Sequence, residues 1–276
     1  MDSAGLAAFE SDAGKRVSLY GDYRSFYWDP NFPTAAADAI RTHGSQMMIT
    51  WEPWDPRSGS PSQPAYSLAS IASGGYDALI SRWASQIKAW GHPLWLRFAH
   101  EMNGDWYPWA EKVNGNRPGD YVAAWRHVHD VFQRAGVTNV SWVWSPNVIM
   151  GSTPSLASLY PGDAYVDWLG VDGYNWGTSQ SWSSWQSFDS VFGTTLAELH
   201  RLSARPIVIG ETASSEAGGN KAQWIQQFFA SMAHDPGIKA FVWFNLKKEA
   251  DWRIESSAAA QQAFSAGIAD SRYRAG

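Results

Sequence analysis

The feature that most constrains this chain is an alternation. Short, β-rich apolar runs recur at residues 17–20, 47–51, 94–98, 140–144, 168–171, 207–209 and 240–244, and helical patterns fill the gaps between them. Leu79, Ile80, Trp83, Ile87 and Trp90 form one apolar stripe, stopped by Gly91-His92-Pro93. Tyr121, Trp125, Val128 and Phe132 form a second, ended by Gly136, and Trp224, Ile225, Phe228, Phe229 and Met232 a third. Near-continuous apolar strands are covered on both faces, as in parallel sheets. Strand alternating with helix, without a glycine-rich phosphate loop, predicts an α/β fold of the (β/α)8 TIM-barrel type, one catalytic domain spanning residues 1–276. Only seven strand patterns are present, because residues 6–9 read as helix. The first barrel strand is therefore expected to be missing or irregular.

A chain of 276 residues can bury a full core without cross-links, and it has no cysteine. Disulfide scaffolds, thiolate metal sites and cysteine nucleophiles are excluded. The net charge of −5 and the lack of a basic run argue against nucleic acid, and no apolar run reaches the length of a membrane span. His127 and His129 sit two apart and cannot share a helix face, so no metal site is expected. Asn114-Gly115-Asn116 reads as a turn rather than a calcium loop. Neither cofactor nor metal is implied, and a monomer is expected. Tryptophan is the compositional outlier, with 18 residues, several of them in polar clusters such as Trp51-Glu52-Pro53-Trp54 and Asp105-Trp106-Tyr107-Pro108-Trp109. Flat amphipathic rings in such places suit a groove for pyranose faces.

In a barrel of this kind the chemistry lies where strands end. The run 94–98 leads into Ala99-His100-Glu101-Met102-Asn103-Gly104, and the run 207–209 into Gly210-Glu211-Thr212. Two glutamates at strand ends, flanked by aromatics, are what glycoside hydrolysis needs: a proton donor and a nucleophile or base. Residues two apart on a strand face the same way, so Arg97 shares parity with Glu101 and Asp172 with Tyr174. Arg97 is expected to pair with an inward acid, Asp172 or Glu52, beneath Glu211.

The chain resembles glycoside hydrolase family 26, a family of retaining barrel hydrolases. The likeness rests on Trp51-Glu52-Pro53-Trp54, Arg97-Phe98-Ala99-His100-Glu101-Met102-Asn103-Gly104, Trp142-Val143-Trp144-Ser145-Pro146-Asn147, Gly170-Val171-Asp172-Gly173-Tyr174-Asn175, Ile209-Gly210-Glu211 and Val242-Trp243-Phe244-Asn245, in that order. The resemblance implies that Glu101 is the acid/base and Glu211 the nucleophile. It further implies that Tyr174 donates to Glu211 and that Trp243 forms the floor under the sugar. His100 would bind a hydroxyl or orient a carboxylate, and Trp106 would wall the cleavage subsite. Trp51, Trp144 and Trp176 are further candidates for substrate contact.

The expected partner is a polysaccharide or oligosaccharide. Mixed-linkage β-1,3-1,4-glucan is favoured over β-1,4-mannan because the Asp105–Trp109 wording resembles the glucanase branch. The competing class is a barrel that binds carbohydrate without cutting it. An isomerase or aldolase barrel is disfavoured, since neither a metal cluster nor a strand-end lysine is visible; Lys239 and Lys247 read as surface charges. The opening Met-Asp-Ser-Ala-Gly carries no leader pattern, yet a polymeric substrate makes a secreted protein the expectation.

Overall fold

The computed structural model describes residues 3–151 and 153–275. Strands β1 (Leu19–Ser25), β2 (Gln46–Glu52), β3 (Leu94–Phe98), β4 (Val140–Trp144), β5 (Trp168–Asn175), β6 (Ile207–Ser214) and β7 (Ile238–Trp243) pair in parallel in their chain order. The helices are α1 (Ser3–Ala13), α2 (Thr34–His43), α3 (Leu68–Ala72), α4 (Asp77–Trp90), α5 (Asp120–Arg134), α6 (Leu156–Leu159), α7 (Phe188–Leu202), α8 (Lys221–His234) and α9 (Ala258–Ile268).

The helices form where the apolar stripes predict. Ile80, Trp83, Ala84 and Ile87 bury one face of α4, and the chain leaves that helix through Gly91 at φ 72°, a left-handed turn that glycine adopts without strain. Ser187 and Asn220 cap α7 and α8 by accepting the amide N–H of Ser190 and Gln223.

Alternation along the strands divides the core in two. Outward residues such as Ile49, Trp51, Leu96, Phe98, Trp142, Trp144, Val171 and Ile209 pack under the helices. Inward residues stack in storeys. Met48, Val143 and Val208, with Leu19, Trp95, Trp168, Ala240 and Val242, plug the barrel floor. Above them come Thr50, Arg97, Ser145 and Asp172, and above those the residues of the mouth.

The seven-strand expectation holds, and residues 6–9 lie within α1. Among the described residues no ladder joins β7 to β1. The two edges meet through side chains instead: a Cβ added to Gly21 would sit 3.4 Å from Val242 Cγ1. Four strands run past the ends of the apolar segments that mark them in the sequence, β1 to Ser25, β2 to Glu52, β5 to Asn175 and β6 to Ser214. The added residues are largely polar because they form the mouth.

Candidate active site

Glu101 sits just past the end of β3 on a strained turn. Ala99 and Glu101 both adopt left-handed backbone, with φ 47° and 53°. That conformation costs a non-glycine residue on the order of 1 kcal/mol or more. The surroundings hold it: Tyr121 Oη donates to the Ala99 carbonyl at 3.1 Å, Trp109 Nε1 donates to the His100 carbonyl, and the Glu101 N–H reaches the Ser145 carbonyl at 2.7 Å. The turn brings Glu101 into the mouth, 7% exposed. Its Oε1 accepts from Asn147 Nδ2 at 2.6 Å and its Oε2 from Trp106 Nε1 at 2.8 Å. Asn147 is itself gripped by Asn103, whose side chain accepts the Asn147 N–H and donates to the Asn147 carbonyl, both at 2.8 Å. Burial, and then the Glu211 charge, push the Glu101 carboxyl up to about 7 against these two neutral donors.

Glu211 lies on β6 where the register slips on both sides, between Val171 and Asp172 toward β5 and between Ile209 and Thr212 toward β7. Gly210 precedes it for lack of room: a Cβ there would come 2.5 Å from Asp172 Oδ1 and 2.9 Å from Arg97 Nη1. Arg97 Nη2 donates to Glu211 Oε1 at 2.6 Å and Tyr174 Oη to Oε2 at 2.7 Å. The Tyr23 hydroxyl, 3.4 Å from Arg97 Nη2, bonds to the same carboxylate. Burial pushes Glu211 up most strongly of any single cause, but the Arg97 charge, His100 and the hydrogen bonds of the two tyrosines together outweigh it and hold the carboxyl at about 2. The pair therefore has one carboxyl that keeps its proton near neutrality and one that is ionised, the division of labour that hydrolysis requires.

Arg97 pairs with Asp172, Nη1 to Oδ1 at 2.8 Å, and with Glu211 itself; Glu52 is not its partner. The guanidinium is held further by Thr50, whose Oγ1 accepts from both Nε and Nη2. Burial pushes Asp172 up, and the Arg97 charge opposes that rise.

His100, 1% exposed, has Nε2 3.6 Å from Glu211 Oε1 and its ring against Tyr107, with centroids 4.9 Å apart. Burial and the Arg97 charge lower it to about 3, so it is a neutral imidazole beside the carboxylate. Trp106 lies over Gly104, where an added Cβ would meet its ring at 2.6 Å. Trp176 reaches the rim beside Tyr174, against Trp182 and Trp252 at 5.2 and 4.7 Å.

Three expected groove residues lie elsewhere. Trp51, on the outward face of β2, stacks on Trp83 of α4 at 4.5 Å. Trp144, outward on β4, packs against Tyr160. Both are fully buried. Trp243 also points outward, among Trp224, Phe228 and Phe264, and donates its indole N–H to the Trp252 carbonyl at 2.9 Å. Parity decides all three: Thr50, Ser145 and Val242 are their inward neighbours. Conversely, Tyr23, Asn147 and Tyr107 enter the site without having been singled out. Asn114 and Asn116 clamp the loop, Asn114 Oδ1 accepting the Gln63 N–H and Asn116 Oδ1 the Leu68 N–H.

The chain matches the model of glycosyl hydrolase family 26 over residues 62–236. It is 42% identical over 266 residues to Endoglucanase H of Acetivibrio thermocellus, a match covering 94% of this chain and 28% of that protein. With Beta-1,3-xylanase TXYA of a Vibrio species it shares 24% identity over 216 residues, 67% of this chain and 42% of that protein. The chain thus spans less than half the length of either relative. Among solved structures, the catalytic domain of a GH26 endo-β-1,4-mannanase from Bacillus sp. JAMB-750 superposes with a TM-score of 0.66 at 20% identity, covering 87% of this chain and 69% of that one. At that identity the likeness is one of fold.

Proposed function

The chain belongs to glycosyl hydrolase family 26, and from that premise we propose that it is an endo-acting, retaining β-glycanase with Glu211 as nucleophile and Glu101 as acid/base. The observation that carries the reading is the opposite setting of the two carboxyls: Glu101 is buried against the neutral donors Asn147 and Trp106 and pushed up to about 7, whereas Glu211 is gripped by the Arg97 guanidinium and Tyr174 and held at about 2. Ionised Glu211, aimed by Arg97 and Tyr174, attacks the anomeric carbon while Glu101 gives its proton to the departing glycosidic oxygen. The sugar is left as an ester on Glu211. Glu101, now ionised, takes a proton from water, which attacks the same carbon and releases the sugar with its configuration retained. Each proton movement uses a residue already hydrogen-bonded in place. A covalent step of this kind requires the two carboxyls to stand about 5–5.5 Å apart.

Mixed-linkage β-1,3-1,4-glucan is the preferred substrate, with β-1,4-mannan second. The sequence likeness to a protein named an endoglucanase, over nearly the whole chain, supports that order. The reading includes export, since a polymer cannot enter a cell. Reducing-end release from mixed-linkage β-glucan, mannan and β-1,3-xylan, measured side by side with Glu211→Ala as control, tests it. Release from one polymer, lost in the variant, is expected. Retarded migration in a polysaccharide gel without release from any polymer would mark a barrel that binds but does not cut.

A further inference from the structure

A third carboxyl faces the mouth, and the chemistry above does not use it. Glu52 ends β2 and shares its inward parity with Met48 of the floor and Thr50 beneath Arg97. It is 8% exposed, and among the described residues the one side-chain hydrogen bond its carboxyl receives is from Trp54 Nε1 to Oε2, at 3.2 Å. Among the described residues no cation pairs with it. Arg97, the one guanidinium beneath it, is spent on Thr50, Asp172, Glu211 and Tyr23. The Glu52 partner Trp54 packs on Tyr107, which packs on His100, whose Nε2 is 3.6 Å from Glu211, so Glu52 opens on the same cleft. Burial first, then the charges of Glu211 and Glu101, push it up to about 7.

The group is also rigidly held. Its carbonyl accepts the N–H of Phe26 and of Trp54, at 2.9 and 3.0 Å. The Trp54 ring is fixed edge-on against Tyr107 and Trp109, centroids 5.3 and 5.8 Å apart. A largely desolvated carboxyl with an oxygen still open to the mouth loses that solvent when a ligand covers it, unless the ligand itself supplies a hydrogen bond. Such a group persists at a site where a ligand supplies the partner.

We propose that Glu52 is a specificity residue whose free oxygen binds one ring hydroxyl of the pyranose lying between Glu101 and Glu211. The carboxyl accepts from that hydroxyl, with Trp54 fixing its other oxygen. A sugar lacking the hydroxyl, or carrying it in the other orientation, covers that oxygen without pairing it and is rejected. The proposal rests on the glycanase reading and deepens it.

The test is a cycle between protein and substrate. Wild type and Glu52→Ala are assayed on an oligosaccharide of the polymer the wild type cleaves, and on its 2-, 3- and 6-deoxy analogues at the cleaved unit. For one analogue the wild type is expected to lose about 10- to 100-fold in kcat/KM while Glu52→Ala loses no more than about twofold. The intact oligosaccharide is expected to bind about 10-fold or more weakly to Glu211→Ala/Glu52→Ala than to Glu211→Ala by calorimetry. Glu52→Gln, which keeps shape and an acceptor oxygen, is expected to recover part of the loss. Equal losses in wild type and variant for every analogue would overturn the role of Glu52 and leave the glycanase intact. A wild type that cleaves nothing would overturn both.

Discussion

Arg97 holds Glu211 from below, its Nη2 2.6 Å from Oε1, while Nη1 of the same guanidinium holds Asp172. One buried cation thus holds two acids of the cleft together. Arg97→Met leaves the Glu211 carboxylate and the buried acid Asp172 without their partner and is expected to cost about 3–5 kcal/mol in denaturant unfolding. Arg97→Lys keeps a charge but cannot span both acids. A lysine variant with wild-type stability and wild-type kcat would show that the fork is dispensable.

The pH dependence of kcat/KM follows from the two carboxyls. Glu101 must be protonated to act as acid, and it gives up its proton at about 7, so activity is expected to fall on the alkaline side with a midpoint there. Glu211 is ionised down to about 2, so no matching fall is expected through pH 4 to 6. Glu101→Gln should flatten the alkaline limb and abolish polymer cleavage, while an aryl glycoside with a good leaving group, which needs no proton, should still acylate. A profile that keeps its alkaline limb in Glu101→Gln would assign the limb to another group.

Much of this site is legible in the sequence, and the rest is hidden for a physical reason. Glu101, Glu211 and Tyr174 follow recognisable apolar runs, and Arg97 and Asp172 are placed by parity. Tyr23 is not found that way. It lies beyond Tyr20 in a stretch, Gly-Asp-Tyr-Arg-Ser, whose inward positions carry no aliphatic side chain and whose outward positions hold the ion pair of Asp22 and Arg24, so no apolar strand pattern remains. The errors at Trp51, Trp144 and Trp243 have the opposite origin. A tryptophan near a catalytic motif is read as substrate contact, whereas its parity with Ile49, Trp142 or Phe241 assigns it to the helix-facing layer.

The corrected tryptophans can be told apart by measurement. Trp243→Ala empties part of the layer beneath α8 and α9 and is expected to lower stability by about 3–5 kcal/mol. Trp106→Phe leaves the fold nearly unchanged, since the ring is 37% exposed, but removes the donor at Glu101 Oε2. It is expected to lower kcat/KM by about 10-fold. Loss of activity without loss of stability in a Trp243 variant would return that residue to the groove.

Glu52 carries a stability signature with a definite sign. In the unfolded chain its proton leaves near 4.5, in the folded chain at about 7, so between those values folding retains a proton and stability falls as pH rises. Glu52→Gln cannot ionise and escapes this loss. It is expected to be more stable than wild type at pH 8 by up to about 3 kcal/mol, with the difference vanishing below about pH 4.5. Urea unfolding of both proteins at the two pH values measures it, and an equal difference at both would contradict the assignment.

Tyr23 and Tyr174 act on one carboxylate from two strands. Tyr23→Phe and Tyr174→Phe are each expected to lower kcat by about 10-fold with a smaller change in KM, because the bond aims the nucleophile rather than binding sugar. A KM effect alone would make the tyrosine a substrate contact.

The central claim is that Glu211 forms the bond to the sugar. Incubation with a 2-deoxy-2-fluoro glycoside bearing a good leaving group slows the second step and accumulates the ester, and peptide mass spectrometry then locates it. A single glycosyl adduct on the peptide containing Glu211, absent in Glu211→Ala, is the predicted result. An adduct on Glu101 or Glu52, or turnover with inverted configuration and no adduct, would contradict it.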